Sequence, residues 1–156
     1  MPDSKRKPPS RPRSPTRPTP KPKASKPRPD LAKVTAAEVE LVPTKGTPGK
    51  GGGPGGHAWV IRAAGKRAGV IYINWIDEAP VGKHASIQIY LNQSSQGRGV
   101  GRIAYRLASE ASQYDVVYAH MRKINVASRR AAEEAGYVDA GLPTNQLIMK
   151  WTRKRS

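Results

Sequence analysis

Apolar and polar residues alternate at period two through the middle of the chain and switch to a period near 3.6 past residue 99. Residues 39–42 (VELV), 57–64 (HAWVIRAA), 68–76 (AGVIYINWI) and 85–91 (ASIQIYL) are short runs rich in β-branched and aromatic residues. These residue types fit a pleated, half-buried surface, so all four runs are predicted strands. Turn residues stand at Gly65-Lys66 and through DEAPVGK at 77–83, and the four strands are expected to form an antiparallel meander. Val100, Ile103, Ala104, Leu107, Ala108 and Ala111 then recur at i, i+3, i+4, i+7, i+8 and i+11, a single stripe along a helix. VVYAHM at 116–121 reads as a buried strand, and residues 125–135 as an alanine-rich helix with Asn125 as N-cap and Gly136 as its C′ stop. YVDA at 137–140 and NQLIMKW at 145–151 close the pattern as two further strands.

Two stretches break this pattern. Residues 1–30 hold ten Pro and ten Lys or Arg against two acids, with no aromatic and, Met1 aside, no aliphatic residue larger than Ala. Such a segment buries too little apolar surface to offset the entropy of ordering, so a disordered arm with polyproline-like stretches is expected. The second break, TKGTPGKGGGPGGH at 44–57, is too rich in glycine for helix or strand; a flexible loop over 44–56 is expected. It is not a P-loop, because Gly49-Lys50 is followed by Gly51 rather than Ser or Thr and no strand and helix flank it closely. Residues 31–156 are then expected to form one domain around one core, as a length of 156 residues suits.

Charge narrows the partners rather than the fold. The chain has 28 Lys and Arg against 11 Asp and Glu, +17 in all, and the arm supplies +8 of it, ten bases less two acids. Polyanions or anionic substrates are the expected neighbours. Two roles stand open for the arm: a solubilising tail, or a nucleic-acid tether that works by counterion release at a salt slope of about 0.9 per phosphate neutralised. The absence of cysteine rules out disulfides, thiolate metal sites and a cysteine nucleophile, and fits a reducing compartment. No metal is expected. No apolar run approaches the roughly 20 residues of a membrane span, and the N-terminus lacks the apolar stretch of a signal peptide, so a cytoplasmic protein without a membrane partner is expected. The oligomeric state is left open.

The segment LNQSSQGRGVGRIAYRLASEA at 91–111 joins a predicted strand to a predicted helix through three glycines in five residues. A helix N-terminus leaves backbone N–H groups unpaired and carries partial positive charge, and glycines let a phosphate approach those amides closely. Gly97, Gly99 and Gly101 meet that need, and Arg98 and Arg102 are candidates to pair with a diphosphate or a 3′-phosphate. A tight strand-to-helix turn with solvated arginines is the plainer alternative. Gly99, Gly101 and Ala104 also match G-x-G-x-x-A, but a meander precedes them, the acidic residue expected about 20 positions on is absent, and too little chain follows to build a dinucleotide fold.

The order of elements, strands first and then strand, glycine loop, helix, strand, helix, strand, strand, resembles the GCN5-related N-acetyltransferase (GNAT) family. The family's acyl-CoA motif Q/R-x-x-G-x-G/A is met by Gln96, Gly97, Arg98, Gly99, Val100 and Gly101, with Leu91 at the aliphatic position five residues earlier. Its second signature is met by Asn125, Ser128, Gly136 and Tyr137, and the likeness spans residues 39–151. The resemblance implies an α/β fold with a mixed, mostly antiparallel sheet flanked by helices, and acetyl-CoA as co-substrate. It implies two adjacent parallel strands that splay to admit the pantetheine, which Ile89 and Leu91 would meet through their backbone. Gln96, Gly97, Arg98, Gly99, Val100, Gly101 and Arg102 would hold the phosphates, and Asn125 and Ser128 would sit near the thioester. The implied chemistry is direct attack of a neutral amine on the thioester carbonyl, with an oxyanion formed and the coenzyme thiolate leaving.

An alkylammonium with a pKa near 10.4 must lose a proton before it attacks, so a base or a water chain is needed. Many relatives carry Glu on the fourth strand; here that strand reads KHASIQIY at 83–90. His84, Ser86, Gln88 and Tyr90 share one face by strand alternation, and His84 is the preferred base, with His120 or the turn residues Asp77 and Glu78 as alternatives. The family's usual acid, a Tyr seven residues after the motif Asn, is replaced by Ala132, which leaves Ser128 to assist the thiolate unless its hydroxyl only caps the helix. Tyr90, Tyr105 and Tyr118 are expected to pack, as are Trp59, Trp75 and Trp151. Relatives commonly wall the acceptor pocket with two helices between the first and second strands. The glycine-rich loop stands there instead, so an open rim and a bulky amine acceptor are expected: a protein terminus, a lysine tail or a nucleobase, with nucleic acid a partner through the arm. The alternative is a nucleic-acid-associated module that keeps the acyl-CoA fold without turnover.

Overall fold

The computed structural model describes residues 33–154; the arm predicted over residues 1–30 lies outside them, as do residues 31–32 and 155–156. A 3-10 turn, Ala36–Glu38, leads into β1 (Val39–Thr44), β2 (His57–Ala63), β3 (Lys66–Glu78) and β4 (Gly82–Leu91). After the glycine loop come α1 (Val100–Ala111), β5 (Val116–Met121), α2 (Val126–Glu134), β6 (Val138–Asp139) and β7 (Leu147–Thr152). The strands form one sheet in the order β1-β2-β3-β4-β5-β7-β6. β1 to β4 are the predicted antiparallel meander, β5, β7 and β6 pair antiparallel, and β4 with β5 is the parallel pair. Parallel neighbours need a crossover, and α1 supplies it.

Strand alternation sorts the sheet into two faces. Ile61, Ile71, Ile73, Ala85, Ile87, Val117, Ala119 and Met149 point to one side, where the stripe Val100, Ile103, Ala104 and Ala108 of α1 and Ala132 of α2 complete the core. The other face carries Val42, Tyr72, Asn74, Ser86, Gln88 and Tyr90, with Val42 37% and Tyr90 57% exposed but Tyr72 and Ser86 buried. Among the described residues no helix covers it. The residues predicted for α1, β5 and α2 are the observed ones to within a residue at each end. Asn125 accepts from Ser128 N–H at 3.1 Å, and α2 ends with Gly136 at φ +102, its N–H donating to Glu133 and that of Tyr137 to Ala132. This double closure is what a left-handed C′ glycine permits.

Several strand ends, and the state of the glycine-rich loop, differ from the sequence reading. β3 and β4 run on to Glu78 and back to Gly82, so their turn takes only residues 79–81 rather than 77–83. Their polar ends are solvent-facing and pair without any apolar signal. β6 keeps two of the four residues predicted for it. The glycine-rich loop is anchored rather than free: Gly51 N–H donates to Asn74 Oδ1 at 2.7 Å, Asn74 Nδ2 donates to the Gly49 carbonyl at 2.8 Å, and Tyr114 Oη donates to the Gly55 carbonyl. A Cβ on Gly51 would stand 2.3 Å from the His57 carbonyl oxygen, so glycine here permits close backbone packing.

The register of the parallel pair positions the site. β4 and β5 pair only over Ala85–Val117, Ser86–Tyr118 and Ile87–Ala119. Beyond Ile87, β4 continues on β3 (Tyr72–Gln88 to Gly69–Leu91), while β5 continues on β7 to Met121–Leu147. Each strand is thus held by its outer neighbour, and the inner edges part. Gly69 lies so close to β4 that a Cβ there would meet the Tyr90 carbonyl oxygen at 2.0 Å, and Asn92 N–H donates to the Ala68 carbonyl at 2.7 Å. The end of β4 is therefore pinned to β3.

Candidate active site

Four residues of β4 past Ile87 and two of β5 past Ala119 face each other without a shared ladder. Backbone groups on such edges need partners, and an extended, amide-bearing chain laid between them would supply these. The glycine loop stands at the same end. Gln96 reaches back to donate from Nε2 to the Leu91 carbonyl at 3.2 Å, Gly97 has φ +79 with open space at its Cβ position, and Gly99 is the left-handed N-cap of α1 at φ +82. The first turn of α1 contains no acidic residue, so its positive end is not compensated by the helix itself. Gly101 faces the core side, where a Cβ would meet Ala131 Cβ at 3.4 Å and Leu91 Cδ1 at 3.9 Å. Ile89 and Leu91 are half-buried against the core, whereas Ile124 (80% exposed) and Val126 (65%) stand bare after β5.

The two candidate arginines differ in their surroundings. The Arg98 carbonyl accepts from Val34 N–H at 2.8 Å. Arg102 donates from Nη2 to the Val34 carbonyl at 3.4 Å, and its Nε lies 3.7 Å from Glu134 of α2, so part of its guanidinium already faces protein acceptors. Lys33, whose Cδ lies 3.5 Å from a Cβ built on Gly99, was missed by sequence reasoning. No signal in the sequence ties residue 33 to residue 99.

The two histidines proposed separately from the sequence meet in the fold. His84 is 3% exposed; its Nδ1 lies 2.7 Å from the Gly82 carbonyl oxygen and its Nε2 lies 2.8 Å from His120 Nε2. Tyr118 packs edge-on against His84, ring centroids 5.1 Å apart. The pair lies on the face that no helix covers, and His120 stands one residue past the last position of β5 that pairs with β4. Burial, then the neighbouring His84, hold the His120 pKa below the usual histidine value, with Glu78 opposing. Both ring nitrogens of His84 are engaged. Asp77 and Glu78 end β3 at the exposed hairpin.

Asn125 caps α2 through its side-chain oxygen, which leaves Ser128, one turn in, half-buried beside the hydroxyl of Tyr105. Burial pushes Tyr105 up to about 12, with Ser128 opposing, so the phenol stays a donor through the physiological range. Ala132 is fully buried in the α2 contact with the core. The Tyr105 hydroxyl beside Ser128 is thus supplied by α1, where the family motif would take a tyrosine from α2. Trp59 and Trp151 are buried as expected, while Trp75 is exposed and stacks on Tyr114, centroids 5.3 Å apart. A cavity of about 330 Å³ beside the glycine-rich loop, lined by Lys45, Gly51, His57 and Trp59 among others, contains none of the predicted site residues. Among the described residues no helix is long and apolar enough to cross a membrane.

Comparison with known proteins bears on this geometry. RimJ from Mycobacterium smegmatis in complex with CoA-disulfide superposes with a TM-score of 0.51 at 20% identity, over 62% of this chain and 53% of that one. A GNAT-family acetyltransferase from Streptococcus agalactiae gives 0.55 at 16% identity, over 63% and 66%. RimL, a ribosomal L7/L12 alpha-N-protein acetyltransferase, gives 0.50 at 19% identity, over 65% and 72%. The chain thus spans about half to two thirds of the length of the first two, and at these identities the likeness is one of fold. No curated protein matches the chain at a significant level. The Acetyltransferase (GNAT) domain model matches residues 35–138, from the turn before β1 to the start of β6 and across both glycine loop and strand gap; the chain belongs to the GNAT acetyltransferase family.

Proposed function

We propose that the protein is an acetyl-CoA-dependent N-acetyltransferase that acts on an amine of a bulky acceptor by direct transfer. The observation that carries this reading is the parting of β4 from β5 beside an uncompensated helix N-terminus. Pantetheine would lie in the gap against the backbone of Ile89 and Leu91, and the diphosphate on the amides of residues 96–101, with Arg98 nearby. An extended ligand strand would also cover Ile124 and Val126. Asn125 and Ser128 would flank the thioester end, and Ser128, supported by Tyr105, would donate to the leaving thiolate. Deprotonating an alkylammonium of pKa near 10.4 at pH 7 costs about 5 kcal/mol, which the histidine pair would help to meet.

The bulky acceptor follows from the sheet face beside the gap, which no helix covers among the described residues: a protein terminus, a lysine tail or a nucleobase amine fits an open surface better than a metabolite that needs enclosure. The +8 of residues 1–30 would tether the enzyme to nucleic acid by counterion release. A second reading rests on Ala132, which removes the family's usual acid: an acyl-CoA module without turnover. Because the chain has no cysteine, release of coenzyme A can be followed with a thiol reagent free of protein background. The transferase reading expects acetyl-CoA binding and thiol release with at least one of a polyamine, a free-amine peptide or a nucleic-acid acceptor. Binding without release supports the second reading, and absence of binding refutes both.

A further inference from the structure

The hydrogen bonds of the histidine pair fix where protons can sit. The Gly82 carbonyl oxygen can only accept, so the 2.7 Å contact requires the His84 proton on Nδ1. A neutral His84 then has a lone pair on Nε2, and the 2.8 Å contact requires the proton on His120 Nε2. By elimination the lone pair of His120 is on Nδ1, for which the described residues show no partner. The chain Gly82 O···H–Nδ1 (His84) Nε2···H–Nε2 (His120) Nδ1 thus runs from the half-buried Gly82 at the hairpin, through the buried His84, to the half-buried His120 on the face that no helix covers.

Resting on the transferase reading, we propose that His120 is the catalytic base, taking the proton of the acceptor ammonium at Nδ1, and that His84 is a positioning residue that fixes the His120 tautomer. His120 suits this role because it stands one residue beyond the last position of β5 that pairs with β4, at the mouth of the strand gap. His84 has both nitrogens committed and only 3% exposure, so it cannot itself meet an acceptor. Around the pair, β3 presents the apolar Ile76 opposite His84 and the carboxylate of Glu78 at its end. β4 adds Ser86 and Gln88, and β5 adds Tyr118. β7 places Ile148 opposite His120 and Lys150 opposite Tyr118. Glu78 is the single carboxylate among these, and it favours the imidazolium once formed.

The step balances without a co-reactant beyond the two substrates. His120 Nδ1 takes one proton from the ammonium, the amine nitrogen bonds to the thioester carbonyl carbon, and the C–S bond breaks as the oxyanion collapses. The second nitrogen proton passes to the thiolate, giving amide and free thiol, and the imidazolium returns its proton to solvent.

Three histidines make a direct test practicable. Long-range 1H–15N correlation on the full chain at pH 7.5 should show His84 protonated at Nδ1 and His120 at Nε2. His84→Asn keeps a donor for Gly82 but removes the acceptor for His120, whose signals should move to a mixture of tautomers. With spermidine, a free-amine hexapeptide and poly-lysine as probes, His120→Gln should lower kcat about 10²-fold or more while the KM for acetyl-CoA stays within about twofold. The same variant should abolish a rising limb of kcat/KM below pH 6.5, and His84→Asn should lower kcat about tenfold. A His120 protonated at Nδ1, or thiol release indifferent to His120→Gln, overturns the proton path and leaves the transferase reading standing. Bound acetyl-CoA with no release on any probe overturns both.

Discussion

Alanine substitutions at two glycines of the coenzyme loop, Gly97 and Gly101, should act in opposite directions. Gly97 sits at φ +79, so alanine there is strained by roughly 1–2 kcal/mol, although nothing stands within 4 Å of the new methyl. That open space is where the coenzyme's diphosphate is placed in our proposal. Gly101 is different: it lies in α1, its φ is not positive, and a methyl would meet Ala131 Cβ at 3.4 Å in near-ordinary contact. Alanine there gains up to about 1 kcal/mol of helix propensity, less near the first turn. For a domain of this size the expected Tm changes are a fall of about 3–8 °C for Gly97→Ala and a rise of up to about 4 °C for Gly101→Ala. Calorimetry reads these, and titration of acetyl-CoA into each variant reads affinity. We expect a loss of about tenfold or more for Gly97→Ala and less than threefold for Gly101→Ala. Equal losses in affinity, or a Gly97→Ala variant that binds as well as wild type, would refute the assignment of the loop's outer side to the diphosphate.

Three further outcomes follow from the packing and charge. Ser109 donates to the Tyr105 carbonyl at 2.7 Å and meets Tyr137 Oη at 2.5 Å, so Ser109→Ala leaves a buried phenol unpaired and should cost about 1–3 kcal/mol in urea unfolding. Tyr137→Phe, which leaves Ser109 its carbonyl, should lose less through that hydrogen bond, roughly 0.5–1.5 kcal/mol. The Tyr105 pKa is raised to about 12, so its contribution is complete below pH 10 and is lost as pH rises to 12. That loss amounts to about 2–3 kcal/mol, and the stability of Tyr105→Phe should fall less steeply across this window. Deleting residues 1–30 removes ten basic side chains and should flatten the salt dependence of DNA binding by several units of slope, at about 0.9 for each phosphate no longer neutralised. An unchanged slope would make the arm a solubilising tail.

Much of the fold was legible because one face of the sheet is buried: alternation at 57–64, 68–76 and 85–91 and the stripe from Val100 to Ala111 follow directly from which side meets the core. What stayed illegible depends on partners distant in sequence. The parting of β4 and β5 is set by β3 and β7 pulling on outer edges, which no local pattern encodes. His84 and His120 are 36 residues apart, and each alone reads as an ordinary strand histidine. Glycine at 44–56 signalled freedom, yet Asn74, a polar residue in an otherwise apolar run, binds Gly49 and Gly51 and holds the loop. Arg102 stands by position to meet a phosphate, and its partners Glu134 of α2 and the Val34 carbonyl are likewise contacts that no local pattern encodes.

The most direct test of the account is an amide-shift titration of 15N-labelled protein with acetyl-CoA. Saturable shifts concentrated in residues 88–91, 97–102 and 120–121, with residues 46–56 unmoved, are the predicted result. Shifts confined to the glycine-rich loop and its cavity, or none at millimolar acetyl-CoA, would contradict the placement of a coenzyme between β4 and β5.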